Sequence, residues 1–303
     1  MKVTVTGATG RIGTHLVAAL KARGDEVTVL SRDPERASEK LGVEAAGWDP
    51  ENEGAPLAAL AGRDAVVHLA GEGVAQRWST DAKQRILASR ERGTRNLVHG
   101  IFDAKPRPPV FVCASAAGFY GARGDEPVDE RQPPGEDWLA GVCVRWESQA
   151  DSAKLGTRVV KVRTGIVLDA EGGALAKMLP PFKAGLGGPI GGGKQYIPWI
   201  HLDDLVGIYL AALDAPGFAG PINASAPNPV TNKEFSRALG HVLHRPAVAP
   251  VPGFTLKVMY GEMAHIILTG VRMVPGRAGE LGYEFAHPEL DEALRDTLAN
   301  HDG

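Results

Sequence analysis

The segment from Lys2 to Gly13 restricts the fold of this chain more than any other. A valine-rich run, Lys2 to Thr6, enters Thr6-Gly7-Ala8-Thr9-Gly10-Arg11-Ile12-Gly13 directly, and Ile12, Leu16 and Leu20 then fall four apart beside Val17. That order reads as strand, glycine turn and amphipathic helix. Glycines three apart at such a junction let the backbone turn tightly, approach a pyrophosphate and pack the helix on the strand. The bound anion meets free N–H groups and the positive end of the helix dipole. The turn is therefore expected to bind a dinucleotide rather than to be a plain glycine-rich connection.

The same alternation continues through the first half of the chain. Further strands are expected at Glu26 to Leu30, Val43 to Ala46, Ala65 to Leu69, Val110 to Cys113 and Arg158 to Val162. Asp33 and Pro34 supply a cap and a first-turn residue for the second helix, and longer helices are expected at Asp81 to Phe102 and Leu139 to Leu155. Strands alternating with helices imply an α/β fold, a Rossmann-like doubly wound parallel sheet.

After Val167 the texture changes. Residues 172–193 hold eight glycines and three prolines around a short apolar helix near Leu175 to Leu179. A capped helix at Asp203 to Leu213 and a strand at Pro221 to Ala224 follow, and then a Pro-punctuated, mostly helical tail. The expected division is a nucleotide-binding lobe over 1–167 with a return around 201–226, and a smaller substrate lobe from 168–200 and 227–303. The run from Gly185 to Gly193 is expected to embrace a second anion or to form a hairpin or lid, with Lys194 and Gln195 as its polar contacts.

Composition removes several classes. Of 303 residues, 33 are Lys or Arg and 36 are Asp or Glu, a net charge of -3, so no global field favours nucleic acid or an anionic membrane. No apolar run reaches a membrane span, and the N-terminus enters a strand pattern at once, so a cytosolic protein is expected. Cys113 and Cys143 lack metal-ligand spacing and are expected as small buried residues; no metal is expected. The expected partners are a small-molecule substrate and a second copy of the chain.

Which dinucleotide is bound is decided at the end of the second strand. An acid there binds a ribose 2′-hydroxyl and repels a 2′-phosphate. The chain reads Val29-Leu30-Ser31-Arg32-Asp33, with Ser31 in the acid's place and Arg32 offering a planar charged fork. NADP(H) is therefore expected over NAD(H).

The glycine turn, His68-Leu69-Ala70-Gly71, Gly93-Thr94-Arg95-Asn96-Leu97, Ser115 with Phe119-Tyr120-Gly121, and Ile200-His201-Leu202-Asp203-Asp204-Leu205 together resemble the extended short-chain dehydrogenase/reductase superfamily. Arg77-Trp78, Ser89-Arg90, residues 185–191, Trp199-Ile200-His201, Asn223-Ala224, Ala226-Pro227-Asn228-Pro229 with Thr231, and Gly261-Glu262-Met263 narrow the likeness. They are similar to an atypical, epimerase-like subgroup with a C-terminal domain of unknown function, here at about 250–298. The resemblance implies bound NADP(H) and a substrate pocket between lobes. It assigns Gly7, Thr9, Gly10, Arg11, Ile12 and Gly13 to the pyrophosphate turn, Ser31 and Arg32 to the adenosine phosphate, and Leu69 and Ala70 to the stretch toward the nicotinamide. Arg90 takes the place of the usual active-site Asn, facing the cofactor or an anionic substrate, or else solvent.

The superfamily's proton-transfer machinery does not carry over. It needs a Ser or Thr, a Tyr and a Lys four residues after the Tyr, the Lys lowering the tyrosine pKa. Counted from Glu147, the Tyr place holds Leu139 and the Lys place Cys143, and the residue four before Tyr120 is Ala116. The remaining candidates are Ser115; Tyr120, as a proton donor or as loop packing; Glu72, as a base or a solvated loop acid; and His201, as a ligand contact, beside the Asp203-Asp204 pair expected to cap a helix. Trp199 is expected to line the cleft between lobes. Two functions follow: an oxidoreductase or epimerase-like enzyme with non-standard proton donors, or a catalytically silent NADP(H)-binding sensor that docks on a partner.

Overall fold

Successive strand residues point to opposite sides of a sheet, so a strand apolar at every position must be covered on both. The main sheet meets that condition. In the computed structural model, which describes residues 1–299, its strands are β1 (Lys2–Thr6), β2 (Glu26–Ser31), β3 (Glu44–Gly47), β4 (Ala65–His68), β5 (Val110–Ala116), β6 (Arg158–Thr164) and β7 (Gly220–Ala224). They run in the order β7-β6-β5-β4-β1-β2-β3, every pair parallel. Ala65, Val67, Val110, Val112, Val160 and Val162 belong to one core cluster, and Val66, Phe111, Cys113 and Val159 to another on the opposite face.

Helices supply the two covers. α1 (Arg11–Ala22) buries Leu16, Val17 and Leu20 in the first cluster with α6 (Leu202–Asp214). α3 (Thr80–Asp103) and α4 (Trp138–Asp151) bury Leu97, Ile101 and Trp146 in the second. At roughly 1.5–3 kcal/mol for each fully buried aliphatic side chain, these stripes fix the helices to the sheet. α2 (Pro34–Leu41) starts as its sequence implies, the Asp33 carboxylate accepting from the Arg36 N–H at 3.1 Å with Pro34 in the first turn.

Beyond β6 a third cluster forms. Leu168, Leu175, Leu179, Phe182, Trp199, Phe235, Leu239 and Leu294 pack together. They come from the short paired strands Ile166–Leu168 and Trp199–His201 and from α5 (Gly173–Lys183), α7 (Asn232–Val242) and α11 (Leu290–Ala299). The tail between adds α8 (Gly253–Tyr260), α9 (Ala264–Thr269) and α10 (Gly276–Glu280).

Several expectations change here. β5 and β6 each run beyond the expected ends, carrying Ser115 and Arg163 into the sheet edge. The helix expected over Leu139 to Leu155 closes at Asp151, with a 3₁₀ turn at Ser152–Lys154. Trp199 does not line a cleft: it is 1% exposed in the third cluster, because its indole fills that core and donates to the Asn228 carbonyl at 3.3 Å. The glycine run 185–193 seats on the stretch before α8, where a Cβ at Gly188 would lie 2.2 Å from the Ala249 carbonyl oxygen. Gln195 is spent internally there, donating to the Ile190 and Ile267 carbonyls.

The cap of α6 also differs from expectation. His201, not the Asp203-Asp204 pair, is its N-cap, with Nδ1 accepting from the Asp203 N–H at 3.2 Å. The Asp204 carboxylate turns away to accept from the Ala286 and His287 N–H groups at 2.8 and 3.0 Å, satisfying backbone donors of that loop. Both acids still lie in the first turn, where the helix dipole favours them.

Candidate cofactor site

Strand order reverses direction of growth between β1 and β4, and doubly wound sheets bind ligands at that switch point, outside the carboxyl ends of the strands. A cleft of about 530 Å³ opens there. Its floor is the turn from Gly7 to Gly10, and it runs from Arg32, Arg36 and Lys40 at one end to Gly71, Glu72 and Ser89 at the other.

The turn admits no side chain at two of its glycines. Gly7 has φ +67°, and a Cβ on it would lie 2.6 Å from the Ala70 nitrogen. A Cβ on Gly13 would lie 2.4 Å from the Gly7 oxygen and 2.6 Å from the Ala8 Cα. The helix therefore approaches the strand as closely as its backbone allows. Gly10 is the N-cap of α1 and supplies no side-chain acceptor, so the first-turn N–H groups face the cleft without a cap of their own. This is a cradle for an anion.

The outer end is basic. Arg32 is exposed and lines the cleft, and sequence reasoning missed two further cations, Arg36 and Lys40. Their spacing of four on α2 was the available signal, because it places both on one helix face. Lys40 donates to the Thr9 carbonyl at 2.9 Å and so ties α2 to the glycine turn. The Ser31 hydroxyl donates to the Asp33 carbonyl at 3.1 Å. Asp49, across the cleft mouth, is held below the usual carboxylate range by hydrogen bonds from Asn52 and from the Glu51 N–H, with Arg32 adding to the effect. Leu30, Trp48 and Pro50 form the apolar wall.

At the inner end Leu69 and Ala70 leave β4 against Thr6, and the Glu72 N–H donates to the Ser89 hydroxyl at 2.9 Å. Arg90 is not solvent-facing. Its guanidinium lies 4.9 Å from the Trp146 ring and donates to the Glu72 carbonyl at 2.8 Å and the Ile86 carbonyl at 3.2 Å. Burial lowers its pKa, against the opposing pull of Cys143 and Glu72.

Two turn residues send their side chains elsewhere. Arg11 pairs with Asp169 through Nε at 2.7 Å and Nη2 at 2.9 Å and reaches Glu171 with Nη1, a bidentate contact that leaves only its backbone for a phosphate. Ile12 packs on the first core cluster.

Of the four catalytic candidates, Glu72 alone lines this cleft among the described residues. Its carboxylate accepts from Gln76 at 3.0 Å and stands 3.8 Å from Arg85. Ser115 is buried, its hydroxyl donating to Glu147 at 2.8 Å. Tyr120 is 0% exposed; it donates to Asn223 at 2.6 Å, accepts from Arg163 at 2.9 Å, and burial pushes its phenol up to about 12. These contacts remove Ser115 and Tyr120 from any open surface. His201 lies in a second, smaller cavity with Arg11 and His15.

Leu139 and Cys143 are core residues, packed with Ile86, Phe119, Val142 and Met273. Burial pushes the Cys143 thiol up to about 12, which excludes a nucleophilic thiolate at neutral pH. Sequence reasoning missed the buried pair beneath them: Arg163 holds Glu147 through Nε at 2.8 Å and Nη2 at 3.0 Å, with Lys161 on Asp151 at 2.9 Å.

A dinucleotide-binding α/β protein of the short-chain dehydrogenase/reductase type is the class this fold and cleft define. The model of the NAD dependent epimerase/dehydratase family matches residues 3–223, and a domain of unknown function, DUF1731, matches 251–297. The chain belongs to that epimerase/dehydratase family. It is 43% identical over 298 residues to the epimerase family protein SDR39U1 homolog, chloroplastic, of Arabidopsis thaliana, covering 97% of this chain and 86% of the relative. It is 40% identical to epimerase family protein SDR39U1 of Bos taurus over 99% of this chain and 100% of the relative. The crystal structure of human epimerase family protein SDR39U1 (isoform 2) with NADPH superimposes with a TM-score of 0.89 at 37% identity, covering 99% of this chain and 100% of that one.

Proposed function

We propose that this chain is an NADP(H)-dependent oxidoreductase or epimerase-like enzyme acting on a small molecule, with proton donors other than a Tyr and Lys pair. One observation carries the reading: the cleft joins an uncapped glycine turn to a cationic end of Arg32, Arg36 and Lys40, with no acid at Ser31. The NADPH of the human relative supports it. The residues fit the cofactor. Gly7, Thr9, Gly10 and Gly13 would hold the pyrophosphate, Ser31 and Arg32 with Arg36 and Lys40 the 2′-phosphate, and Leu69 and Ala70 the path inward. When bound, the nicotinamide supplies or accepts a hydride.

The chain's own residues must then move the proton. Glu72 is the titratable side chain at the inner end of the cleft, and Arg90 and Ser89 fix its backbone from both sides. A carboxylate held this way can take a proton from a substrate hydroxyl or return one. Glu72→Gln should leave NADPH affinity within about twofold and lower turnover by roughly 10²-fold or more. Fluorescence titration and absorbance at the nicotinamide band during a metabolite screen read the two effects separately. A bound cofactor that changes redox state with no candidate substrate would count against an enzyme.

The core burial of Leu139, Cys143 and Tyr120 favours the second reading, a silent NADP(H)-binding protein that reports redox state to a partner. Pull-downs loaded with NADP or NADPH decide it, since identical partner sets leave sensing without support. The two-lobed division, with the third core cluster and the tail forming the substrate side, belongs to the same proposal. So does a cytosolic location, although the plant relative is named as chloroplastic. No helix among the described residues is long and apolar enough to cross a membrane.

A further inference from the structure

Where α6 begins, three chain segments bring nitrogen and oxygen donors together. His201 ends the strand Trp199–His201, Asp203 opens α6, His287 lies in the loop before α11, and Asp296 is on α11. One donor atom from each lies within 4.8 Å of the others. His201 Nε2 is 3.2 Å from Asp296 Oδ2, His287 Nε2 is 3.9 Å from Asp203 Oδ2, and the two imidazole rings lie 3.8 Å apart at 34°.

We propose that His201, His287 and Asp296 form a binding site for a zinc-type dication, with Asp203 as the supporting carboxylate. Two imidazoles and a carboxylate suit zinc, cobalt or nickel rather than magnesium or calcium, which prefer all-oxygen shells. Three protein ligands leave a fourth position for water. Bonds of about 2.0–2.1 Å in a tetrahedron set ligand atoms about 3.3 Å apart. The His201 and Asp296 atoms already meet that spacing. The wider gaps close by side-chain movement of His287 and Asp296, whose side chains are 20% and 40% exposed.

Support for the ligands is already built. The Asp204 carboxylate accepts from the His287 N–H and so fixes the backbone of that ligand. His201 is 4% exposed, and its Nδ1 accepts from the Asp203 N–H, so Nε2 carries the ring proton. Metal binding at Nε2 places the proton on Nδ1, where the Asp203 carboxylate, 3.9 Å away, accepts it in place of the backbone bond. That is the carboxylate, histidine and metal arrangement of many zinc sites. A cavity of about 110 Å³ borders His201 and Asp203 on one side of the cluster. The site would clamp the C-terminal helix and its preceding loop to the start of α6, a role separate from hydride transfer.

The test uses the full-length chain without affinity tag, dialysed against chelator and titrated with Zn2+ alone by calorimetry, with Co2+ visible absorption as a second probe. One equivalent should bind, and Co2+ should give the intense bands of a four-coordinate site. His287→Ala and Asp296→Asn should each weaken binding by about tenfold or more, while His241→Ala, whose side chain pairs with Asp291 elsewhere on the surface, should leave it unchanged. Both test residues are partly exposed, so circular dichroism of each variant should match the parent. The proposal is overturned by absence of saturable Zn2+ binding in the parent chain, or by stoichiometric binding that survives in both variants.

Discussion

Arg32 carries the cofactor preference by replacing a repulsion with an attraction. An acid beside the ribose would oppose a 2′-phosphate, whereas an arginine can pair with it through two N–H groups. The two further cations on α2 change the expected size of a single loss. With Arg36 and Lys40 bordering the same end of the cleft, Arg32→Ala should cost NADPH about one charge-assisted contact, roughly 1.5–3 kcal/mol, or about 10- to 150-fold in Kd. NADH affinity should stay within about threefold, because the adenosine hydroxyl gains nothing from that charge. Parallel fluorescence titrations check it, and equal losses for the two cofactors would refute the 2′-phosphate assignment. The triple change of Arg32, Arg36 and Lys40 to Ala should bring the two affinities together.

Helix α4 shows what a family pattern becomes when its chemistry is lost. The face that would carry Tyr and Lys instead carries Leu139 and Cys143, and the surroundings have closed on them: a Cβ on Gly118 would lie 2.4 Å from a Leu139 methyl carbon. Cys143 lies in the field of Arg90, and Glu147, one turn on, is already engaged by Ser115 and Arg163. A lysine at 143 would bury a second cation near Arg90 with no free carboxylate to meet it. Cys143→Lys should therefore destabilise the chain by about 3 kcal/mol or more, and Leu139→Tyr with Cys143→Lys should restore no dehydrogenase activity. Urea unfolding and cofactor absorbance check the two halves, and a stable, active double variant would show that the face is not core. The strands, the glycine turn and the Asp33 cap were legible in sequence because each is a local pattern with a local cause. The buried partnership of Glu147 with Arg163 was not, since a charged residue in a valine-rich strand names no partner 16 positions away. The partner of Tyr120 was hidden for the same reason: sequence placed it at the sheet edge as a proton donor or as packing, and Asn223, 103 residues on, takes its hydroxyl. The cap of α6 was misplaced by two residues because Asp204 serves a loop more than 80 residues away.

Acid stability of the whole molecule should depend strongly on an imidazole enclosed in the sheet. His68 ends β4 with 0% exposure, its Nδ1 2.7 Å from the Thr6 hydroxyl and its ring 6.4 Å from Trp48. Burial, reinforced by Arg90, lowers its pKa to about 3. The folded chain therefore keeps His68 neutral down to that pH, while the unfolded chain protonates it near its ordinary value of about 6.5. Between those limits the unfolded state binds one more proton, so stability falls as the pH falls, by up to about 1.4 kcal/mol per pH unit and on the order of 4–5 kcal/mol in total. Above about pH 7 the effect is absent. His68→Gln keeps a polar side chain that can bond the Thr6 hydroxyl but cannot take a proton in this range. Urea unfolding at a series of pH values from 7 to 4 should give the parent a steeper fall than the variant, by close to one proton. Carboxylates such as Asp25, held below its ordinary range by the N-terminal ammonium and Arg23 against the cost of burial, and Asp169, held down by Arg11 against the same cost, contribute equally to both chains at lower pH and cancel in the comparison. Superimposable pH slopes would show that His68 is reached by solvent protons in the folded state, and the enclosed sheet edge beneath the cofactor cleft would have to be open.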